Sequence, residues 1–66
     1  MTDDEAAQLR SAAKAHIWVT RNLLDALVLA GVIDQTQAWA YASDPVERVK
    51  DPELRDAWKE AAASLQ

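Results

Sequence analysis

Between residues 3 and 30 the chain has no glycine and no proline, and its apolar residues recur every third or fourth position. That period predicts one long helix over about 3–30, about 42 Å from end to end. Thr2 and Glu5 stand at the spacing of a capping box, as N-cap and N3. On a helical wheel one broad face collects Leu9, Ala12, Ala13, His16, Ile17, Val19, Thr20, Leu23, Leu24, Leu27, Val28 and Ala30. This face spans roughly half the circumference, wider than the stripe by which a helix ordinarily meets a core. The opposite face carries Gln8, Ser11, Lys14, Arg21, Asn22 and Asp25, and is interrupted by Trp18 and Leu29. The run Ile17-Trp18-Val19-Thr20 favours a strand locally, but the helical period continues on both sides and no second strand is available to pair with it.

Gly31 is the only glycine and follows the periodic run directly. A residue with positive φ closes a helix there without a Cβ clash, so a tight reversal is expected at Gly31-Val32-Ile33. Asp34 is a good N-cap for a second helix over about 35–43, carrying Ala38, Trp39, Tyr41 and Ala42. Two Asp-Pro steps follow, Asp44-Pro45-Val46-Glu47-Arg48 and Asp51-Pro52-Glu53-Leu54-Arg55. Each reads as a helix start, with Asp at the N-cap and Pro at N1. The first predicts a short helical turn over about 45–50. The second predicts a last helix over about 52–65, with Leu54, Trp58, Ala61 and Leu65 on one stripe. Trp39 and Trp58 are both expected in the core. The fold class is all-α: a long N-terminal helix, a tight Gly31 turn, then two to three shorter helices packing back as a small irregular bundle, one domain over 1–66.

Composition makes that bundle thin. Half of the 66 residues are hydrophobic, but many are alanine, and the aromatic residues are Trp18, Trp39, Trp58 and Tyr41. So short a chain buries roughly 60% of its unfolded surface. With no cysteine, it has no disulfide staple, no thiol chemistry and no thiolate metal site. Self-association or an obligate partner is the expected remedy. A net charge of −4 argues against non-specific binding to nucleic acid or anionic lipid. Its densest acidic cluster, Asp3-Asp4-Glu5, sits where a helix N-terminus favours negative charge. Met1-Thr2-Asp3-Asp4 lacks the positive n-region of a leader, and the stretch from Ile17 to Ile33 is too short and too polar to span a bilayer. A cytoplasmic location is therefore expected.

No constellation for catalysis stands out, and neither an enzyme activity nor a cofactor nor a small-molecule substrate is expected. His16 is the only histidine, with no carboxylate on its face to orient it as a general base. It is expected as a partly buried, hydrogen-bonded structural residue; zinc would need further ligands that the chain does not offer, and a buried pH switch is the remaining reading. The acids do not follow calcium-loop spacing, and one glycine excludes a phosphate-binding loop. The Gly31 corner is comparable to a DNA-binding helix-turn-helix, in which Gln35, Thr36 and Gln37 would face the bases. That helix has no Lys or Arg and is flanked by Asp34 and Asp44, whereas phosphate contacts dominate such binding. Mimicry of DNA would need denser acids than 11 offset by seven bases.

Trp18 and Leu29 remain. They lie close on the helical wheel, roughly 16 Å apart along the axis, with Lys14, Asn22 and Asp25 about them. An aromatic ringed by polar groups has the composition of an interface hot spot, unless the last helix folds over it. These five residues form the candidate partner-binding patch. The leading reading is a self-associating adaptor, accessory subunit or inhibitor of a larger protein. The alternatives are a helix-turn-helix regulator and a non-catalytic subunit of an enzyme complex.

Overall fold

The computed structural model describes residues 2–66 and holds three helices: α1 (Asp3–Leu29), α2 (Gln35–Arg48) and α3 (Pro52–Ala63). The described residues contain no strand. Every start is capped by the local chemistry its residues offer. Thr2 Oγ1 accepts from the Glu5 amide at 3.1 Å. Asp34 accepts from the Gln37 amide at 2.7 Å while the Asp34 amide donates to Gln37 Oε1 at 2.9 Å, a complete capping box. Asp51 accepts from the Glu53 amide at 3.0 Å, with Pro52 at the first helical position.

Gly31 ends α1 with φ +75. The Gly31 amide donates to the Val28 carbonyl and the Val32 amide to the Leu27 carbonyl, both at 3.0 Å. This is a Schellman closure, and it turns the chain back on itself.

The helices run up, down and up. α3 lies parallel to α1, as successive pairs show: Arg10 with Asp51, Lys14 with Glu53, Arg21 with Ser64. α2 is antiparallel to both. One core cluster joins Leu24, Ala38, Ala42, Ala62 and Leu65, with Val28 and Ile33 against it; the other joins Ile17, Ala57 and Ala61, flanked by Leu54 and Trp58. Among the described residues, five of the eight buried apolar residues are alanine and no large side chain is completely enclosed. Alanine faces let α2 and α3 approach closely, so together they make a narrow hairpin.

Three sequence expectations change. Asp44-Pro45 does not start a new turn: α2 runs continuously through Pro45 to Arg48. The apolar spacing Ala38, Ala42, Val46, Val49 continues across the proline, with Ala38 and Ala42 buried and Val46 and Val49 half-buried. Asp44 and Arg48 form an (i, i+4) ion pair across the same turn. Pro45 leaves the Tyr41 carbonyl without its helical donor, but Tyr41 is exposed and water can reach it. Second, Trp39 is not core. It is 39% exposed, beside Gln35, Thr36 and Gln66 in an open cleft between α2 and the chain's end. Third, His16 is exposed and makes no hydrogen bond or ion pair among the described residues, in contrast to the partly buried structural histidine expected.

Candidate interaction site

The broad apolar face of α1 is only half used. α2 and α3 cover Ala13, Ile17, Thr20, Leu24 and Val28, which are buried or half-buried. The adjoining half stays in solvent, with Leu9 58%, Val19 63% and Leu23 58% exposed. Ala12, His16 and Ala26 are exposed with them. These six residues follow a 3-4-3-4-3 spacing, the a/d rhythm of a helix that packs along another helix. Their flanking positions, among them Gln8, Ala15, Thr20 and Asn22, carry no charge. The result is a strip over residues 9–26 of α1 that is apolar apart from His16 and free of Asp, Glu, Lys and Arg.

The shape of the molecule matches this exposure. It measures 44 × 20 × 14 Å, with a radius of gyration of 12.9 Å. A compact chain of this length has a radius of about 11 Å. Its accessible surface is 4733 Å². A folded monomer of this mass exposes about 4,200 Å².

The five residues expected at the partner-binding patch lie on the other flank of α1, and the structure divides them. Lys14 pairs with Glu53 at 3.5 Å. Trp18 is 40% exposed and leans on α3 in a shallow cleft with Lys14, Glu53, Asp56, Ala57 and Glu60. Asn22 accepts from Arg21 Nη1 at 3.1 Å, and Asp25 lies 3.9 Å from the same nitrogen. Leu29 alone projects freely, 82% exposed. Lys14 and Trp18 therefore come together against α3, Asn22 and Asp25 gather around Arg21, and Leu29 stands apart beside the Gly31 turn.

Much of the remaining polar chemistry ties the helices together. Arg21 Nε donates to Ser64 Oγ at 2.8 Å and Nη2 to the Ser64 carbonyl at 3.2 Å. Gln35 Nε2 donates to the Leu65 carbonyl at 2.9 Å. Both satisfy carbonyls at the end of α3 that no helical amide reaches. Arg55 donates twice to the Val49 carbonyl, at 3.1 and 2.8 Å, and closes the connection between α2 and α3. The Nε–H of Arg10 donates to Asp51 at 2.8 Å. That bond holds the Asp51 carboxyl below the usual carboxylate range, against an opposing push from burial, and raises the Arg10 guanidinium further.

Among the described residues no group of three His, Cys, Asp or Glu side chains is placed to hold a metal ion, and no helix is long and apolar enough to cross a membrane. The strip on α1 escaped the sequence reading because helical periodicity groups residues by face without saying how much of a face is covered. Its signal was the width of that face, beyond what one core-facing stripe needs. No protein-family model matches this chain, and no curated protein or solved structure matches it either.

Proposed function

We propose that this protein is a small protein–protein interaction module that self-associates, with α1 as its binding element. The observation that carries this reading is the uncharged apolar strip Leu9, Ala12, His16, Val19, Leu23 and Ala26, left in solvent by α2 and α3. Isolated exposed apolar side chains are ordinary on protein surfaces, whereas a contiguous strip marks an interaction surface. The alanine-rich core supports the same reading, because a domain of this size gains from a second source of apolar burial.

The helix-turn-helix alternative draws less support from the same structure. Of the three side chains that would face bases, Gln37 belongs to the Asp34 capping box and Gln35 holds the Leu65 carbonyl. The reading as a non-catalytic subunit of an enzyme complex uses the same strip, with a larger partner in place of a second copy.

The experiment is thermal unfolding followed by circular dichroism over an about 100-fold range of protein concentration. A native state that assembles melts at higher temperature as concentration rises, by mass action. A melting temperature independent of concentration counts against self-association.

A further inference from the structure

Resting on that reading, we propose that the occupant of the α1 strip is a second copy of this chain, its α1 lying antiparallel so that Leu9 packs against the partner's Ala26 and Leu23 against the partner's Ala12. Three observations lead there: side-chain volume along the strip, the position of the acids, and the extent of the face.

The strip mixes large and small residues. Leu9, His16, Val19 and Leu23 are large, whereas Ala12 and Ala26 are small. In a parallel, in-register pair each residue would meet its own copy. Leu-with-Leu layers at 9 and 23 would then adjoin Ala-with-Ala layers at 12 and 26, crowding some and leaving gaps at others. Reversing the partner pairs position 9 with 26, 12 with 23, and 16 with 19. Leu then meets Ala in each outer layer, and His16 meets the partner's Val19 in the two central ones. In the four outer layers large therefore meets small, which is how facing helices interdigitate.

Charge selects the same orientation. Asp3, Asp4 and Glu5 occupy the first turn of α1. A parallel pair would crowd six carboxylates at one end, whereas an antiparallel pair separates the two clusters by most of the helix length, which exceeds the Debye length at physiological salt. The positions flanking the strip are uncharged, so no ion pairs across the seam oppose this choice.

The face is large enough. Reversed pairing overlaps α1 over about 24 residues, or about 36 Å. A strip of that length and one helix diameter wide, about 10–12 Å, buries on the order of 800 Å² in total, the size of a weak, reversible contact. α2 and α3 sit roughly a third of a turn away around α1, so neither hairpin blocks the approach.

The absence of native cysteine makes the orientation readable by cross-linking. The double variant Leu9→Cys with Ala26→Cys changes two exposed positions, about 25 Å apart along one helix and so unable to link within a chain. Oxidation followed by proteolysis and mass spectrometry is expected to find position 9 of one copy joined to position 26 of the other as the dominant link. The second pair, Ala12→Cys with Leu23→Cys, is expected to link 12 to 23 in the same way. Links of 9 to 9 and 26 to 26 would overturn the antiparallel arrangement and leave self-association standing. A dimer in sedimentation that yields no link would place the contact on another face, overturning this inference and α1 as the binding element while leaving self-association standing. A chain that stays monomeric and unlinked at every concentration overturns both this inference and the reading on which it rests.

Discussion

Leu23 and Leu24 are adjacent and chemically identical, yet the structure gives them opposite duties. Leu24 is 8% exposed and packs with Ala38, Ala42, Ala62 and Leu65; Leu23 is 58% exposed and touches solvent. Truncating a buried leucine costs about 2–5 kcal/mol, and more where neighbours cannot collapse into the space. Ala38, Ala42 and Ala62 have little side chain to move inward, while Leu65, Val28 and Ile33 can relax toward the space, so Leu24→Ala belongs near the middle of that range. A domain of this length has a total stability of about 3–10 kcal/mol. Leu24→Ala is therefore expected to remove about half of that stability and to melt well below wild type.

Leu23→Ala is expected to leave the isolated chain within about 0.5 kcal/mol of wild type, since the site is exposed and alanine suits a helix. Its effect falls on association. Burying the exposed part of Leu23 contributes about 1–1.5 kcal/mol per copy at ordinary side-chain burial values. Over two copies this is about 2–3 kcal/mol, a weakening of roughly 30- to 150-fold in the dimer dissociation constant. Thermal melts at high dilution give the first quantity, and sedimentation over a concentration series gives the second. Equal destabilisation of the dilute chain by both substitutions would refute the assignment of the two leucines to different surfaces. So would a Leu24→Ala protein as stable as wild type.

Gly31→Val is expected to destabilise by about 1 kcal/mol or more, because a β-branched residue is strained at positive φ. No atom lies within 4 Å of where a Cβ would sit, so the loss would be conformational and a denaturation midpoint unchanged from wild type would contradict it. Trp18→Ala is expected to retain its helicity under conditions where Trp58→Ala does not, since Trp58 packs on the Ile17, Ala57 and Ala61 cluster while Trp18 is 40% exposed at its edge; circular dichroism of the two variants decides the order. The Arg10–Asp51 pair adds a pH dependence. A carboxylate held below its unfolded value, near 3.9, stabilises the fold in full above that pH and loses the contribution as the pH falls through the lower folded value. The stability gap between wild type and Asp51→Asn, measured by denaturant titration, is thus expected to be constant at neutral pH and to close under acid conditions; a gap that persists at the lowest pH would remove the pair as its source.

What the sequence disclosed was chiefly local. Thr2, Asp34 and Asp51 act within a few residues of themselves, and Gly31 needs only its own φ, so three helix starts and one helix end could be read directly. Pro45 could not, because its local preference to begin a helix yields to an α2 that runs on to Arg48 and packs Ala38 and Ala42 with Ala62 and Leu65, contacts between distant segments that no local rule contains. The twin Asp-Pro-x-x-Arg segments show the same limit. Asp44 pairs with Arg48 inside one helix, whereas Asp51 caps another and reaches Arg10, leaving Arg55 to hold Val49. Trp39 shares a helix with the core alanines yet faces a cleft, since the close approach of α2 and α3 leaves no room between them for an indole. The candidate site followed the same logic. Trp18 and Leu29 stood out as breaks in a polar face, while the uncovered half of the apolar face was concealed among the residues that do enter the core. Its exposure depends on how narrow the α2–α3 hairpin is, and that follows from alanine contacts between distant segments.

The central claim is that the exposed strip of α1 assembles the protein, and Val19 stands near the middle of that strip, 63% exposed. Sedimentation equilibrium of wild type and Val19→Lys tests it most directly. Wild type is expected to rise with concentration from the 7.3 kDa of one chain toward twice that mass. Val19→Lys is expected to hold the mass of one chain with its helicity intact, because a lysine in a central layer would be buried without a partner charge. A wild-type chain that remains at the mass of one chain up to about 1 mM, where even weak specific contacts form, would contradict the account, as would a Val19→Lys chain that associates as tightly as wild type.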